Sequence, residues 1–241
     1  MKYERMEHEN IKISVVSRSG QNHVSLSSEN QDSFLYGTNT GMNFLAIADG
    51  VSSSKFAKKG STAAVKTIKK LCGEIVSGAI SSEDVDGIRK YIVQKWKAQF
   101  ESDWNDYATT LNFVIVYAAR VIIGQIGDGL IVYDVDNNQD FMTDVDDFYS
   151  TETFALGEMV LKSTFLIKSI HVDRSVNLII ATDGVGKEVE LETCQGLRDY
   201  LVKLQSKQED EEKKELSAWF DILDKKNGDD KTIGILVLEV K

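Results

Sequence analysis

Apolar residues in this chain gather into short runs that end on acidic or turn-forming residues, and the spacing within those runs predicts the elements. Residues 11–17, IKISVVS, alternate and then cluster β-branched side chains, as a strand does. The stretch from Arg18 to Asn30 is polar and rich in Ser and Asn, which predicts a loop. The apolar piece SFLY (33–36) then pairs with a strand from Asn43 to Ala48 through a turn at 37–41. Five of the six residues from Phe44 to Asp49 are apolar, which suits a strand buried on both faces. Asp49 and Gly50 therefore come where that strand leaves the core. Residues 176–184, VNLIIATDG, repeat the arrangement and deliver Asp183 and Gly184 at a second strand end.

Between these strands the period changes. The serines of VSSS (51–54) are placed to cap a helix over 55–76, in which Ala57, Ala64, Val65, Ile68, Leu71, Cys72 and Ile75 form one apolar stripe. Ser82, with Glu83 and Asp84, opens a second helix, where Val85, Ile88, Ile92, Trp96 and Phe100 recur near 3.6 residues and Trp104 closes the run. Two consecutive amphipathic helices pack antiparallel on one face of a sheet rather than cross over between parallel strands. ATTLNFVIVYA, ARVIIGQIGD and GLIVYDV follow as three strands, joined by turns that allow only antiparallel pairing.

Residues 136–158 are acidic and lack a period, predicting an excursion over the surface beside a site. Strands near 161–170 and 176–182 come next, then a helix over 189–204 and the charge run SKQEDEEKKE, a solvated helix face or linker. A short helix at 217–223 and a last strand entered through Asp229 and Asp230 complete the chain. With no repeat and no internal boundary, residues 1–241 read as one α+β domain of antiparallel sheets with helices outside.

Composition narrows the function. At 42% hydrophobic the chain can build a core, while a formal charge of -10 and no Arg- or Lys-rich block argue against nucleic-acid binding. No apolar run approaches the ~18 residues needed to span a bilayer. The polar start MKYERMEHEN does not resemble a secretion signal, so the expectation is a cytoplasmic protein without a membrane anchor. Cys72 and Cys194 lie in helical segments and read as buried thiols. Proline is absent, which leaves the turns to Gly, Asn, Asp and Ser.

Four acidic residues stand at strand edges beside glycine or a turn: Asp49, Asp128 in IGDGL, Asp183, and Asp229 in NGDDKT. Carboxylates with neighbouring backbone carbonyls are hard oxygen ligands suited to Mg2+ or Mn2+, and the three scattered histidines offer no zinc alternative. Two such cations would clamp a phosphate and lower the pKa of a bridging water for in-line attack. Competing schemes fare worse. A cysteine phosphatase needs Arg six places after its Cys, where this chain has Gly78 and Tyr200. Neither GxxxxGK[ST] nor GxGxxG occurs. A phosphoaspartate enzyme of the haloacid dehalogenase type could use Asp134 and Asp136, but Asn138 stands where such enzymes prefer Thr or Val. A calcium loop at the same place lacks its Gly, replaced by Gln139, and its last carboxylate, replaced by Val145.

The order of short motifs goes further: NQD at 30–32, ADG at 48–50, TTL at 109–111, GDG at 127–129, TDG at 182–184 and DDKT at 229–232. Over nearly the whole chain this resembles the metal-dependent type 2C protein serine/threonine phosphatases, particularly compact bacterial members. The resemblance implies a four-layer αββα sandwich with a binuclear Mn2+ or Mg2+ site at one edge. Asp49 would bridge both ions, with the Gly50 carbonyl a further ligand, and Asp183 and Asp229 would complete the other. Asp128 matches a residue associated with a third, weaker ion, and Asp32 a partner behind the ligands. Gln31 occupies a place where relatives have Glu or Gln, and Asp230 one where many have Asn. Two departures stand out. The arginine that binds substrate phosphate in many relatives is Ser27 here, leaving Arg18 or His23 as substitutes, and VSSS lacks the histidine of larger relatives. The implied partners are a phosphorylated protein and a cognate Ser/Thr kinase. A catalytically silent, phosphatase-like binding module is the alternative.

Overall fold

The β-branched runs pair off into two antiparallel sheets, as their length and short connections require. The computed structural model describes residues 1–25, 29–39, 41–101, 103–143, 154–161 and 163–239. Its strands are β1 (Lys2–His8), β2 (Ile11–Arg18), β3 (Asp32–Asn39), β4 (Met42–Asp49), β5 (Leu111–Tyr117), β6 (Arg120–Ile126), β7 (Leu130–Val135), β8 (Asn138–Thr143), β9 (Phe165–His171), β10 (Ser175–Ala181) and β11 (Lys231–Glu239). Its helices are α1 (Gln21–Ser25), α2 (Ala57–Val76), α3 (Val85–Lys97), α4 (Asp183–Gly186), α5 (Cys194–Leu204) and α6 (Glu209–Leu223). One sheet runs β1-β2-β11-β10-β7-β8 and the other β3-β4-β5-β6-β9.

Three apolar interfaces hold the layers together. The sheets face each other through Ile13, Val15, Leu45, Ile47, Val114, Ile131, Leu178, Ile180 and Leu236. The outer face of the five-stranded sheet packs on α2 and α3 through Ile68, Leu71, Ile88, Ile92 and Trp96. α5 and α6 cover the six-stranded sheet with Leu201, Leu204, Leu216 and Phe220. Each such side chain contributes roughly 1.5–3 kcal/mol on burial. The result is the α+β, four-layer αββα sandwich implied by the motifs.

Several local expectations are corrected. β1 was hidden because it is an edge strand, paired only with β2 and half exposed, so its residues are polar. β7 does not continue the meander of β5 and β6: it crosses to the other sheet and pairs with β10 and β8. The crossing is made at Gly127, whose φ of 99° favours glycine. The serines of VSSS do not cap α2, whose N-cap is Phe56 without a side-chain bond. Ser54 Oγ instead donates to the Asn105 carbonyl at 2.7 Å. Asp84 caps α3 by accepting from the Gly87 N–H at 2.9 Å. Trp104 opens a separate 3-10 turn, Trp104–Tyr107, after α3 has ended. Part of the loop before Asn30 is α1, and the acidic excursion holds β8. The rest of that excursion, 144–153, lies outside the described residues. Of its two readings, helix face and linker, the charge run takes the first: it belongs to α6, which continues through 217–223 as one helix instead of a separate short one. Its four first-turn acids suit the helix N-terminus, and Glu212 is fully buried against Arg5 Nη1 at 2.7 Å. Cys72 and Cys194 are free and buried. Among the described residues no helix is long and apolar enough to cross a membrane.

Candidate active site

The two apolar runs that end on Asp-Gly lie in different sheets, and the sandwich brings their ends to a common edge. In the five-stranded sheet Asp32, first in β3, pairs opposite Asp49, last in β4. In the six-stranded sheet the ends of β10 and β11 are joined by Thr182 N–H donating to the Thr232 carbonyl at 2.9 Å, while Thr232 N–H donates to Thr182 Oγ1 at 2.9 Å. Thr182 Oγ1 then donates across the sandwich to Asp32 Oδ2 at 3.0 Å. This buried bond ties the two halves of the site together.

Each acidic residue is positioned by its neighbours. Asp49 is clamped through its backbone by the TTL motif: its N–H donates to Thr110 Oγ1 at 3.0 Å, and its carbonyl accepts from Thr110 N–H at 2.8 Å and from Thr109 Oγ1 at 2.7 Å. Gly50 follows where a Cβ would lie 2.5 Å from the Ala57 carbonyl, so only glycine fits. Asp183 opens α4, only 8% exposed, and Asp229 precedes β11 with its Oδ1 accepting from Asp230 N–H at 2.9 Å. Asp230, at the place where many relatives have Asn, braces its surroundings. Its Oδ1 accepts from Gly20 N–H at 2.7 Å, and its Oδ2 from Gln31 N–H at 2.6 Å and His23 Nδ1 at 2.7 Å. It fixes the α1 loop and the start of β3 against β11.

The carboxylates feel one another. Burial pushes Asp32 up to about 7, with the Asp230 charge adding to it against hydrogen bonds from Thr232 and Thr182. Burial also holds Asp49 well above the usual carboxylate range, followed by the charges of Asp32, Asp183 and Asp229. Asp229 is raised by burial and then by Asp183. Asp32 Oδ1 and Asp183 Oδ1 are buried acceptors without a hydrogen-bond partner. Lys187, one helical turn after Asp183, places Nζ 2.7 Å from Asp183 Oδ2 and 3.0 Å from Asp128 Oδ2. Among the described residues no three His, Cys, Asp or Glu side chains are gathered tightly enough to hold a metal ion. The donors thus share an edge and mutual repulsion without closing on one point. In type they fit a hard divalent cation, because hard oxygens predominate and two buried oxygens have no other partner.

Other candidates are placed elsewhere. Arg18 is bound to Asp221 at 2.6 Å and to Asp224 at 2.8 Å, and His23 to Asp230, so neither is held in reserve for a phosphate. Ser27 lies outside the described residues. Asp134 sits within β7, 3.6 Å from Arg198, and Asp136 accepts from the N–H groups of Asp173, Arg174 and Ser175. Both serve structure, which leaves the phosphoaspartate scheme without a site. No motif singles out Lys187, and TDG alone does not give Thr182 its role; the i,i+4 spacing of Asp183 and Lys187 is the sequence signal for the first.

Solved structures similar to this chain include serine/threonine phosphatases. RsbX in complex with magnesium superposes with a TM-score of 0.64 at 16% identity, covering 98% of this chain and 100% of that one. The S. agalactiae serine/threonine phosphatase gives 0.62 at 16%, with 94% and 98% covered. The catalytic domain of the serine/threonine phosphatase PstP, in complex with two manganese ions, gives 0.61 at 17%, with 95% and 99% covered. At such identities these likenesses establish the fold. No curated protein sequence matches the chain. The profile of the protein phosphatase 2C family matches residues 19–221, and the chain belongs to that family.

Proposed function

We propose that residues 1–241 act as one Mn2+- or Mg2+-dependent catalytic domain that hydrolyses phosphoserine and phosphothreonine in proteins. The observation that carries this reading is the meeting, at one edge of the sandwich, of Asp32 and Asp49 from one sheet with Asp183 and Asp229 from the other. Burial, and after it the charges of Asp32, Asp183 and Asp229, holds Asp49 above the usual carboxylate range, burial and then Asp183 raise Asp229, and two of the buried oxygens lack partners. Asp49, with the Gly50 carbonyl, would serve both of two ions, Asp183 and Asp229 the second, and Asp128 a weaker third. Asp32 stands behind them. The cations, when bound, supply an activated water and neutralise phosphoryl charge. The chain's own residues hold the ligands still: Thr109 and Thr110 fix the Asp49 backbone, Thr182 fixes Asp32, and Asp230 fixes the β3 entry.

The test is Mn2+-dependent turnover of p-nitrophenyl phosphate and a phosphothreonine peptide, with Asp49→Asn and Asp183→Asn as controls. Asp49→Asn is expected to abolish binding of both ions, and Asp183→Asn to weaken one and leave the other partly bound. Turnover indifferent to metal and to both substitutions overturns the proposal. Lys187, paired with both Asp183 and Asp128, favours a second reading, a catalytically silent module that binds a phosphoprotein. Metal-dependent turnover excludes it. A phosphorylated protein is the partner on either reading, with a cognate kinase acting on the same substrate and the cytoplasm as the setting.

A further inference from the structure

Helix α2 carries five lysines and a single acid, Glu74, in a chain whose net charge is -10. The helix concentrates positive charge that the sequence as a whole does not show. Lys58, Lys66 and Lys69 recur at helical spacing and, with Lys2, line a cavity of about 730 Å³ between α2 and β3. The cavity lies where both sheets end in an edge strand, β1 on one side and β3 on the other, and it also reaches Asp32 of the candidate site. Lys2 is committed, paired with Glu4 at 2.7 Å and lying over the Phe34 ring at 4.5 Å. Among the described residues Lys58, Lys66 and Lys69 make no ion pair with a carboxylate. Lys58 is partly buried and, among the described residues, donates to the Asp32 carbonyl; burial lowers its pKa against the charges of Asp32, Glu29 and Asp230. Lys66 and Lys69, exposed on one face of the helix and without a paired carboxylate among the described residues, suit an anionic ligand.

The dimensions select among anions. From Lys58 to Lys69 the helix rises by roughly 16 Å, too far for one phosphate to span. Without cations at the neighbouring site the Asp32 carboxylate at the inner end opposes an anion seated there, so the cavity's own attraction is strongest along the helix. An extended chain carrying several carboxylates meets both conditions. We propose that this cavity docks an acidic segment of the protein substrate, its carboxylates on Lys58, Lys66 and Lys69 and its phosphorylated residue toward Asp32 and Asp49. The proposal rests on the phosphatase reading for its substrate, and on the cavity alone for its chemistry.

The test uses a Lys66→Glu/Lys69→Glu variant, two exposed positions on a helix that glutamate favours. With Mn2+, kcat/KM is measured on a phosphothreonine peptide flanked by Asp and Glu and on one with neutral flanks. The ratio of acidic over neutral is expected to fall about tenfold, the size for reversing two exposed charges, and to do so through KM. Without metal, fluorescence anisotropy follows a labelled acidic peptide lacking phosphate, whose Kd is expected to weaken about tenfold in the variant and with added salt. No binding by the wild-type chain, or equal loss on both peptides, overturns the docking site. Displacement of the peptide by inorganic phosphate or an oligonucleotide at lower concentration than by unlabelled peptide also overturns it, assigning the cavity to another anion. Binding intact with neither peptide hydrolysed sinks the phosphatase reading and leaves the cavity an acidic-peptide site.

Discussion

Replacing Asp230 should cost this protein more stability than replacing most of its residues, although the side chain is not expected to touch metal or substrate. The carboxylate is 2% exposed and takes three bonds, from Gly20 N–H, Gln31 N–H and His23 Nδ1, all at 2.6–2.7 Å. A hydrogen bond to a charged group contributes roughly 1.5–3 kcal/mol, and a buried donor left unmade costs roughly 1–3 kcal/mol. Asp230→Ala orphans two backbone N–H groups at once, so about 3–5 kcal/mol is expected after allowing for water entering from the loop side. Asp230→Asn keeps one acceptor oxygen and turns an NH2 toward the remaining donor, and about 2 kcal/mol is expected. His23→Ala removes one bond and should cost about 1 kcal/mol. Urea unfolding of the three variants reads these differences directly, at constant m if the transition stays two-state. Hydrogen exchange should show the amides of Gly20 and Gln31 losing protection first. An Asp230→Ala cost below about 1 kcal/mol, or an Asn variant as stable as the wild type, refutes the bracing role.

Three further outcomes follow from the same geometry. Because Asp32 and Asp49 have folded pKa values above their unfolded ones, the metal-free protein should lose stability as pH rises from about 4 to about 7, by a few kcal/mol. Saturating Mn2+ should flatten that slope, since a bound cation favours the ionised form; a metal-free Tm that climbs toward pH 7.5 contradicts it. Lys187→Gln removes a half-exposed cation from Asp183 and Asp128, so metal-free stability should drop by about 1 kcal/mol or less while Mn2+ binding by calorimetry tightens about threefold to tenfold. Weaker binding would show that Lys187 assists the ions rather than competing with them. Gly184→Ala would put a Cβ 2.0 Å from the Asp230 carbonyl oxygen and should cost about 2–3 kcal/mol in chemical denaturation. Gly73→Ala, with open space around it in α2, should instead stabilise by about 0.5–1 kcal/mol.

Local patterns carried a large part of this structure because they depend on periodicity that the chain states outright. The apolar run into Asp49 is strand β4, the stripe from Ala57 to Ile75 is the buried face of α2, and the run into Asp183 is β10. The pattern failed where the surroundings changed its meaning. β1 is polar because an edge strand is half in water, and the charge run, read as a solvated helix face or linker, is a helix face whose Glu212 Arg5 holds buried. Strand pairing was also beyond reach at 127–129: a two-glycine turn serves a hairpin or a crossing between sheets equally well, and long-range contacts decide which.

Sequence alone determined which residues are candidates, because the chemistry of a hard cation demands carboxylates and the strand edges that carry Asp49, Asp128, Asp183 and Asp229 are written in the chain, while Asp32 follows from the family resemblance. Only the tertiary structure decided which of them face one another. Thr182 reaches Asp32 across 150 residues of chain, and Asp230 reaches Gly20 across 210. It also decided that Lys187 stands between Asp183 and Asp128, and that Lys58, Lys66 and Lys69 of α2 look onto one cavity. Periodicity reports what one element wants from its own neighbours in sequence. The charge felt at a buried carboxylate depends on distance in space, and that distance exists only once the two sheets have closed on each other.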